Sequence, residues 1–269
     1  MRILILCLGL AFLNPTLAPS STSTFDNQQP LGCSDDVTCY EALNSLDVDE
    51  DEQMEILSDM NEDIPDEELA EFEEMEVEEV KDEIDSFEDK YEIGEPFSEE
   101  DQDLLLYAYN EYGGAELDSE NYKGNDSDIS LENVSYAWRT YSIGSNKSKL
   151  GVKTTYSGKL KTYVTASGGK YYTDVKVNVK SGKSKIKSLK WKTYHSAYGL
   201  LGTNGSSPSL GIVYNGSVSS SKYKSTFSFE NTKNYTAALP VYVKTWGKVF
   251  VKTSKGEYNY GTSVKSSWE

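Results

Sequence analysis

The sequence predicts a mainly β protein: an antiparallel β-sandwich, or a barrel, over residues 132–269, preceded by an acidic segment that is partly helical and partly disordered. Three observations lead there. From Glu132 onward Val, Thr, Tyr and Lys alternate between Gly-bearing turns, the period-two pattern of strands with one wet face. Charge divides the chain at the same place, with 22 Lys and Arg against 5 Asp and Glu after residue 131 and 4 against 39 before it. The formal charges are +17 and −35, so the net −18 conceals two oppositely charged parts. Within the acidic part, apolar residues recur at helical spacing, and such stripes need a partner to cover them.

Residues 1–18 read as a secretory signal peptide: Met1 and Arg2 precede an apolar run from Ile3 to Leu13, with small residues following at Ala18, Ser20 and Ser21. That run is shorter than the ~18 apolar residues a membrane span requires. The expectation is therefore a secreted, extracellular protein with no transmembrane segment after signal removal. Pro19 follows the most attractive cleavage point, which leaves the cut site open. Cys7 departs with the signal, and Cys33 and Cys39 remain as an even pair, an expected disulfide in an oxidising compartment. Their spacing fits neither a zinc site nor a redox motif.

Residues 19–131 form the acidic segment, a pro-segment or spacer. A short helix is expected over Glu52–Met60. A longer one opens at Pro65, where Asp66, Glu67 and Glu68 meet the positive end of the helix dipole, and carries Leu69, Phe72, Val77, Val80, Ile84, Phe87 and Tyr91 along one stripe. Another starts at Ser98, with Asp101 at capping-box spacing, and stops at Gly113-Gly114. The runs beginning at Asp47 and Asp59 open like calcium loops, but Glu52 and Ile64 stand where the sixth-position Gly belongs. Three readings stay open: a solvated acidic tail, a mask docked in cis on the basic half, and a weak cation site.

Residues 132–269 form the predicted sandwich. Val134–Ile143, Leu150–Tyr156 and Lys159–Ala166 read as strands, the last two separated by a turn at Ser157-Gly158. Lys170–Lys180 is the clearest strand, with Tyr171, Thr173, Val175, Val177 and Val179 on one face. Lys183–Tyr194 changes parity between Ile186 and Leu189, which predicts a bulge near Lys187 and Ser188. His195–Ser221 reads as looser chain with a short strand over Leu210–Tyr214 and a turn at Asn215-Gly216. Pro240 marks a strand start, and Val241–Lys244 and Lys248–Thr253 flank a break at Trp246-Gly247.

Catalytic constellations are scarce. The chain holds one histidine, and a Ser-His-Asp triad built from His195 and Asp174 would lack the nucleophile-elbow glycines. Nothing in the spacing marks a glycosidase carboxylate pair, a phosphate loop or a metal site, so the expectation is a non-enzyme without cofactor or metal. What remains is surface: Lys183, Lys185, Lys187, Lys190 and Lys192, interleaved with Trp191 and Tyr194, suit an anionic envelope polymer, lipid or glycan. The same lysines could do no more than keep strand edges from aggregating. An exported chain gives little reason to expect dedicated nucleic-acid binding. Two functions follow as expectations: an envelope- or membrane-directed effector, antimicrobial or toxin-like, masked by its acidic segment, or a carbohydrate-binding or adhesion module.

Overall fold

Antiparallel pairing gathers the strands into two sheets, and the acidic helices pack on the outside of one of them. The computed structural model describes residues 39–41, 50–62, 64–113, 138–165, 167–202, 208–237 and 239–267. The expected signal peptide, Cys33, the side chain of Cys39 and the division at 131/132 lie outside what is described.

The small sheet has the order β2-β3-β4-β7, from Arg139–Lys149 (β2), Val152–Thr165 (β3), Gly168–Ser181 (β4) and Phe227–Thr236 (β7). The large sheet runs β1-β6-β5-β8-β10 with β9 also on β8: Cys39–Glu41 (β1), Ser209–Ser219 (β6), Ile186–Leu201 (β5), Pro240–Thr253 (β8), Gly256–Gly261 (β9) and Lys265–Ser266 (β10). Their inner faces meet in one apolar layer. Tyr156, Leu160, Val175 and Val177 from the small sheet pack on Leu189, Trp191, Val249 and Val251 from the large one. The expected antiparallel sandwich with helices before it is the observed architecture.

Glycine placed several sequence boundaries wrongly. No turn occurs at Ser157-Gly158, because Gly158 lies inside β3 opposite Val175, where a Cβ would stand 2.0 Å from the Asp174 carbonyl oxygen. Asn215-Gly216 and Trp246-Gly247 are likewise mid-strand, in β6 and β8. The stretch expected to be loose, His195–Ser221, completes β5 and contains all of β6, of which Leu210–Tyr214 was expected as a short strand. Two other expectations hold: β5 shifts register between Ile186 and Ser188, and β8 begins at Pro240.

The helices are α1 (Glu50–Glu62), α2 (Asp66–Glu74), α3 (Val77–Lys90) and α4 (Glu99–Ala108), the last continuing as a π-turn over Tyr109–Gly113. Ser98 caps α4 as expected, its Oγ accepting from the Asp101 amide at 3.2 Å. The single long helix expected from Pro65 is broken at Met75-Glu76, both extended. The new start puts Glu78 and Glu79 in a first turn, where the dipole favours them, but it also leaves Glu73 and Glu74 in the last turn of α2, where the dipole opposes them, so charge does not decide the break.

These helices share a core with the large sheet. Phe72, Val80, Ile84, Phe87 and Leu104–Ala108 pack against Tyr198, Leu200, Leu210, Ile212, Val241 and Tyr242. Backbone joins too. Gly94 and Phe97 donate to the carbonyls of Ile212 and Leu210, and β1 pairs with Tyr214–Gly216. The acidic part thereby lines the outer edge of β6, which would otherwise offer unpaired ladder groups.

Candidate functional site

Strand β5 alternates strictly after its bulge, and the alternation decides which side chains can meet a ligand. Trp191, Thr193, His195 and Ala197 point inward and are buried, while Lys190, Lys192 and Tyr194 point outward and are half-buried. Register with β8 places Lys248 directly opposite Lys192, Trp246 opposite Tyr194 and Lys244 opposite Ser196. The result is a ladder of cations and aromatic rings on the open half of the large sheet's outer face. Its other half, Tyr198, Leu200 and Tyr242, lies under the helices.

Within the ladder, the Tyr194 and Trp246 rings lie 5.2 Å apart and nearly parallel, at 7°. The Lys192 and Lys248 ammonium nitrogens sit 4.6 and 5.8 Å from the Tyr194 ring centre. Burial, followed by the neighbouring Lys190, pushes the Lys192 pKa down. Burial also raises that of Tyr194. Lys190, Lys192 and Lys248 have no ion-pair partner among the described residues. Like charges facing each other across a strand pair are destabilising, so the sheet tolerates here what an anion would relieve.

Lys244 shows what neutralisation looks like in the same ladder. It is 2 % exposed, donates to the Asp85 carbonyl oxygen at 3.0 Å, and lies 3.5 Å from the Asp85 carboxylate and 3.6 Å from that of Glu88. Tyr242 donates to the same Asp85 carboxylate at 2.8 Å. Among the described residues this is where acidic helix and basic sheet meet through charge; the rest of their contact is apolar packing and hydrogen bonds such as that from the Leu210 amide to Gln102 Oε1 at 2.8 Å.

The structure gathers Lys190, Lys192 and Tyr194 of the residues expected from sequence. It removes Trp191, whose indole is fully buried between the sheets and donates to Thr193 Oγ1 at 2.8 Å. Lys183 and Lys185 sit on an exposed 3-10 turn before β5, and Lys187 falls in the bulge, so the ladder does not include them. None of these five lysines pairs with a helix carboxylate among the described residues, so the docked helices do not cover them through charge. Lys248 and Trp246 complete the ladder from a strand remote in sequence.

His195 and Asp174 are not brought together. Asp174 is exposed on the outer face of the small sheet, whereas His195 is fully buried between the sheets. Its ring stacks 4.6 Å from Tyr171 and lies 4.9 Å from Tyr235, and neither nitrogen has a hydrogen-bond partner among the described residues. Burial lowers its pKa to about 3. Among the described residues no cluster of His, Cys, Asp and Glu could hold a metal ion, and no helix is long and apolar enough to cross a membrane.

Fold and ladder together define a class: a two-sheet antiparallel protein with an acidic helical cover and a cationic, aromatic face that no acid neutralises among the described residues. No protein-family model matches the chain, and no curated protein does. Among solved structures, a crystal structure of a Bordetella pertussis protein carrying the name ApaA is similar over 49% of this chain and 92% of its own, at 11% identity and a TM-score of 0.22. A likeness that slight carries no argument.

Proposed function

We propose that the protein is an exported, non-catalytic binder of anionic polysaccharide in a cell envelope, with the Lys190–Lys192–Lys248 ladder and its Tyr194–Trp246 pair as the binding face. One observation carries the reading: Lys192 and Lys248 face each other across paired strands with no acid beside them among the described residues. An anionic group laid between them relieves a repulsion that the fold leaves standing. The aromatic pair adds faces on which sugar rings can stack.

A polymer fits better than a bilayer. Among the described residues the large apolar side chains that stand exposed are Val77, Trp138 and Tyr223, none of them in the ladder, while its Tyr194, Trp246 and Phe250 rings are half-buried in the sheet surface, which suits a polymer laid across the face better than insertion into a bilayer. In this reading the acidic segment is a fixed cover of the large sheet's other half.

The test is affinity electrophoresis or calorimetry of the full chain on dextran sulfate, with neutral dextran as control. Binding is expected to the sulfated polymer, weakening steeply with salt because the Debye length is only about 8 Å at physiological ionic strength. Lys248→Glu should weaken it about tenfold, the equivalent of about 1.4 kcal/mol. Equal binding of both polymers, or no effect of Lys248→Glu and Lys192→Glu, would exclude the ladder as the site.

A further inference from the structure

The outer face of the small sheet carries a second set of unpaired lysines. Here Lys161, Lys170 and Lys176 project from β3 and β4 on the side opposite the core. Two acids share this face: Asp174 and Glu230 stand opposite each other between β4 and β7, Glu230 accepting from the Tyr172 hydroxyl at 2.8 Å and Asp174 lying opposite Lys159 in β3. No ion-pair partner is described for Lys161, Lys170 or Lys176. Aromatic rings are interleaved as in the ladder. The Lys161 ammonium sits 5.0 Å from the Tyr172 ring centre, and Trp138, 45 % exposed, lies 5.5 Å from Tyr163. Unlike the large sheet, this sheet has no helix packed on its outer side among the described residues.

We infer that the small sheet's outer face is a second binding face for the same anionic polysaccharide, so that one molecule holds two polymer chains on opposite sides of the sandwich. The inference rests on the reading above. Its physical basis is the geometry of a sandwich: two sheets packed about 10 Å apart turn their outer faces away from each other, so a single chain cannot lie flat on both. Charge chooses the occupant, since both faces present lysine and aromatic rings in excess of acid. The consequence is cross-linking: a protein with one face coats a polymer, whereas one with two opposed faces ties polymers together.

Dextran sulfate is again the probe, with complex size followed by light scattering at concentrations where the protein alone sediments as a monomer. Wild-type complexes should grow to a maximum as protein is added and shrink again in excess protein, when the polymer is coated by molecules each held through one face only. The double variant Lys161→Glu/Lys170→Glu, at exposed or half-buried positions, should melt with the wild type and still bind through the ladder, yet give complexes at least several-fold smaller. Lys192→Glu/Lys248→Glu should also lose growth while retaining binding through the small sheet. If the Lys161/Lys170 variant cross-links as well as wild type, or if wild type binds without growth, the second face is wrong and the first stands. If wild type does not bind at all, both fall.

Discussion

His195 is a core side chain that an unfolded chain would protonate on acidification and the fold keeps neutral. Both its nitrogens lie between the sheets without a hydrogen-bond partner among the described residues, and the rings around it belong to Tyr171, Tyr214 and Tyr235. An unfolded chain protonates this ring near 6.5, whereas burial holds its pKa down to about 3 in the fold. Between those values the unfolded state binds a proton that the folded state refuses. Stability from this group is thus fully present above 6.5 and is lost as the pH falls toward 3, at up to about 1.4 kcal/mol per pH unit. The melting temperature should be level above neutrality and fall between pH 6 and 4, and His195→Phe should flatten that slope relative to wild type. Equal slopes for the two would show that the ring is not sequestered. Lys244 tests the opposite case, a buried cation that is paired. Lys244→Met leaves the Asp85 and Glu88 carboxylates, each 20% exposed, without their cation, and should cost about 2 kcal/mol in urea unfolding, below the range for fully buried pairs because water still reaches the acids.

At the scale of elements, α3 is the piece that fixes the acidic part to the sheet. Val80, Ile84 and Phe87 are completely buried on one face of it, and Phe87 meets both Phe97 and Tyr198. Ile84→Ala should therefore destabilise by about 2–5 kcal/mol in urea or thermal unfolding. This stripe was legible in the sequence because i, i+4, i+7 spacing needs no knowledge of the partner, and so was the Ser98 cap. The break at Met75-Glu76 was not, since the apolar spacing runs on across it and no proline, glycine or side-chain cap marks it. Strands show the same divide. Lys170–Lys180 could be read directly from its alternation, but Gly158, Gly216 and Gly247 resembled turns while serving as gaps into which another group packs. Gly247 is the clearest: a Cβ there would stand 2.1 Å from Cζ2 of Trp191, so Gly247→Ala should displace that indole and lower the melting temperature, with a loss of about 1–3 kcal/mol. Trp191 itself was misassigned against the period-two rule, because a residue between Lys190 and Lys192 in a strand must face the other way. Lys248 and Trp246 could not be joined to Lys192 and Tyr194 without the β5–β8 register, which no local pattern supplies.

For the whole molecule, the charge split suggested that the two parts attract each other as oppositely charged bodies, and the structure locates their junction elsewhere. Lys244 with Asp85 and Glu88 is a point of charge within a broad apolar contact formed by Tyr198, Leu200, Leu210, Ile212 and Tyr242 on the sheet and by α2, α3 and α4 on the other side. Backbone bonds from Gly94 and Phe97, and the pairing of β1, close the β6 edge as well. Two consequences separate this arrangement from an electrostatic mask. Residues 132–269 produced alone should aggregate, because they would expose both that apolar face and a bare strand edge, and supplying residues 19–131 as a separate chain should restore solubility. Salt should not then part the two chains. At about 1 M the Debye length shrinks to about 3 Å and surface attraction is screened, whereas apolar burial persists, so the pair should still elute together in gel filtration. A soluble 132–269 fragment that releases its acidic partner in high salt would instead mean that charge, and not the Phe87–Tyr198 layer, holds the molecule closed.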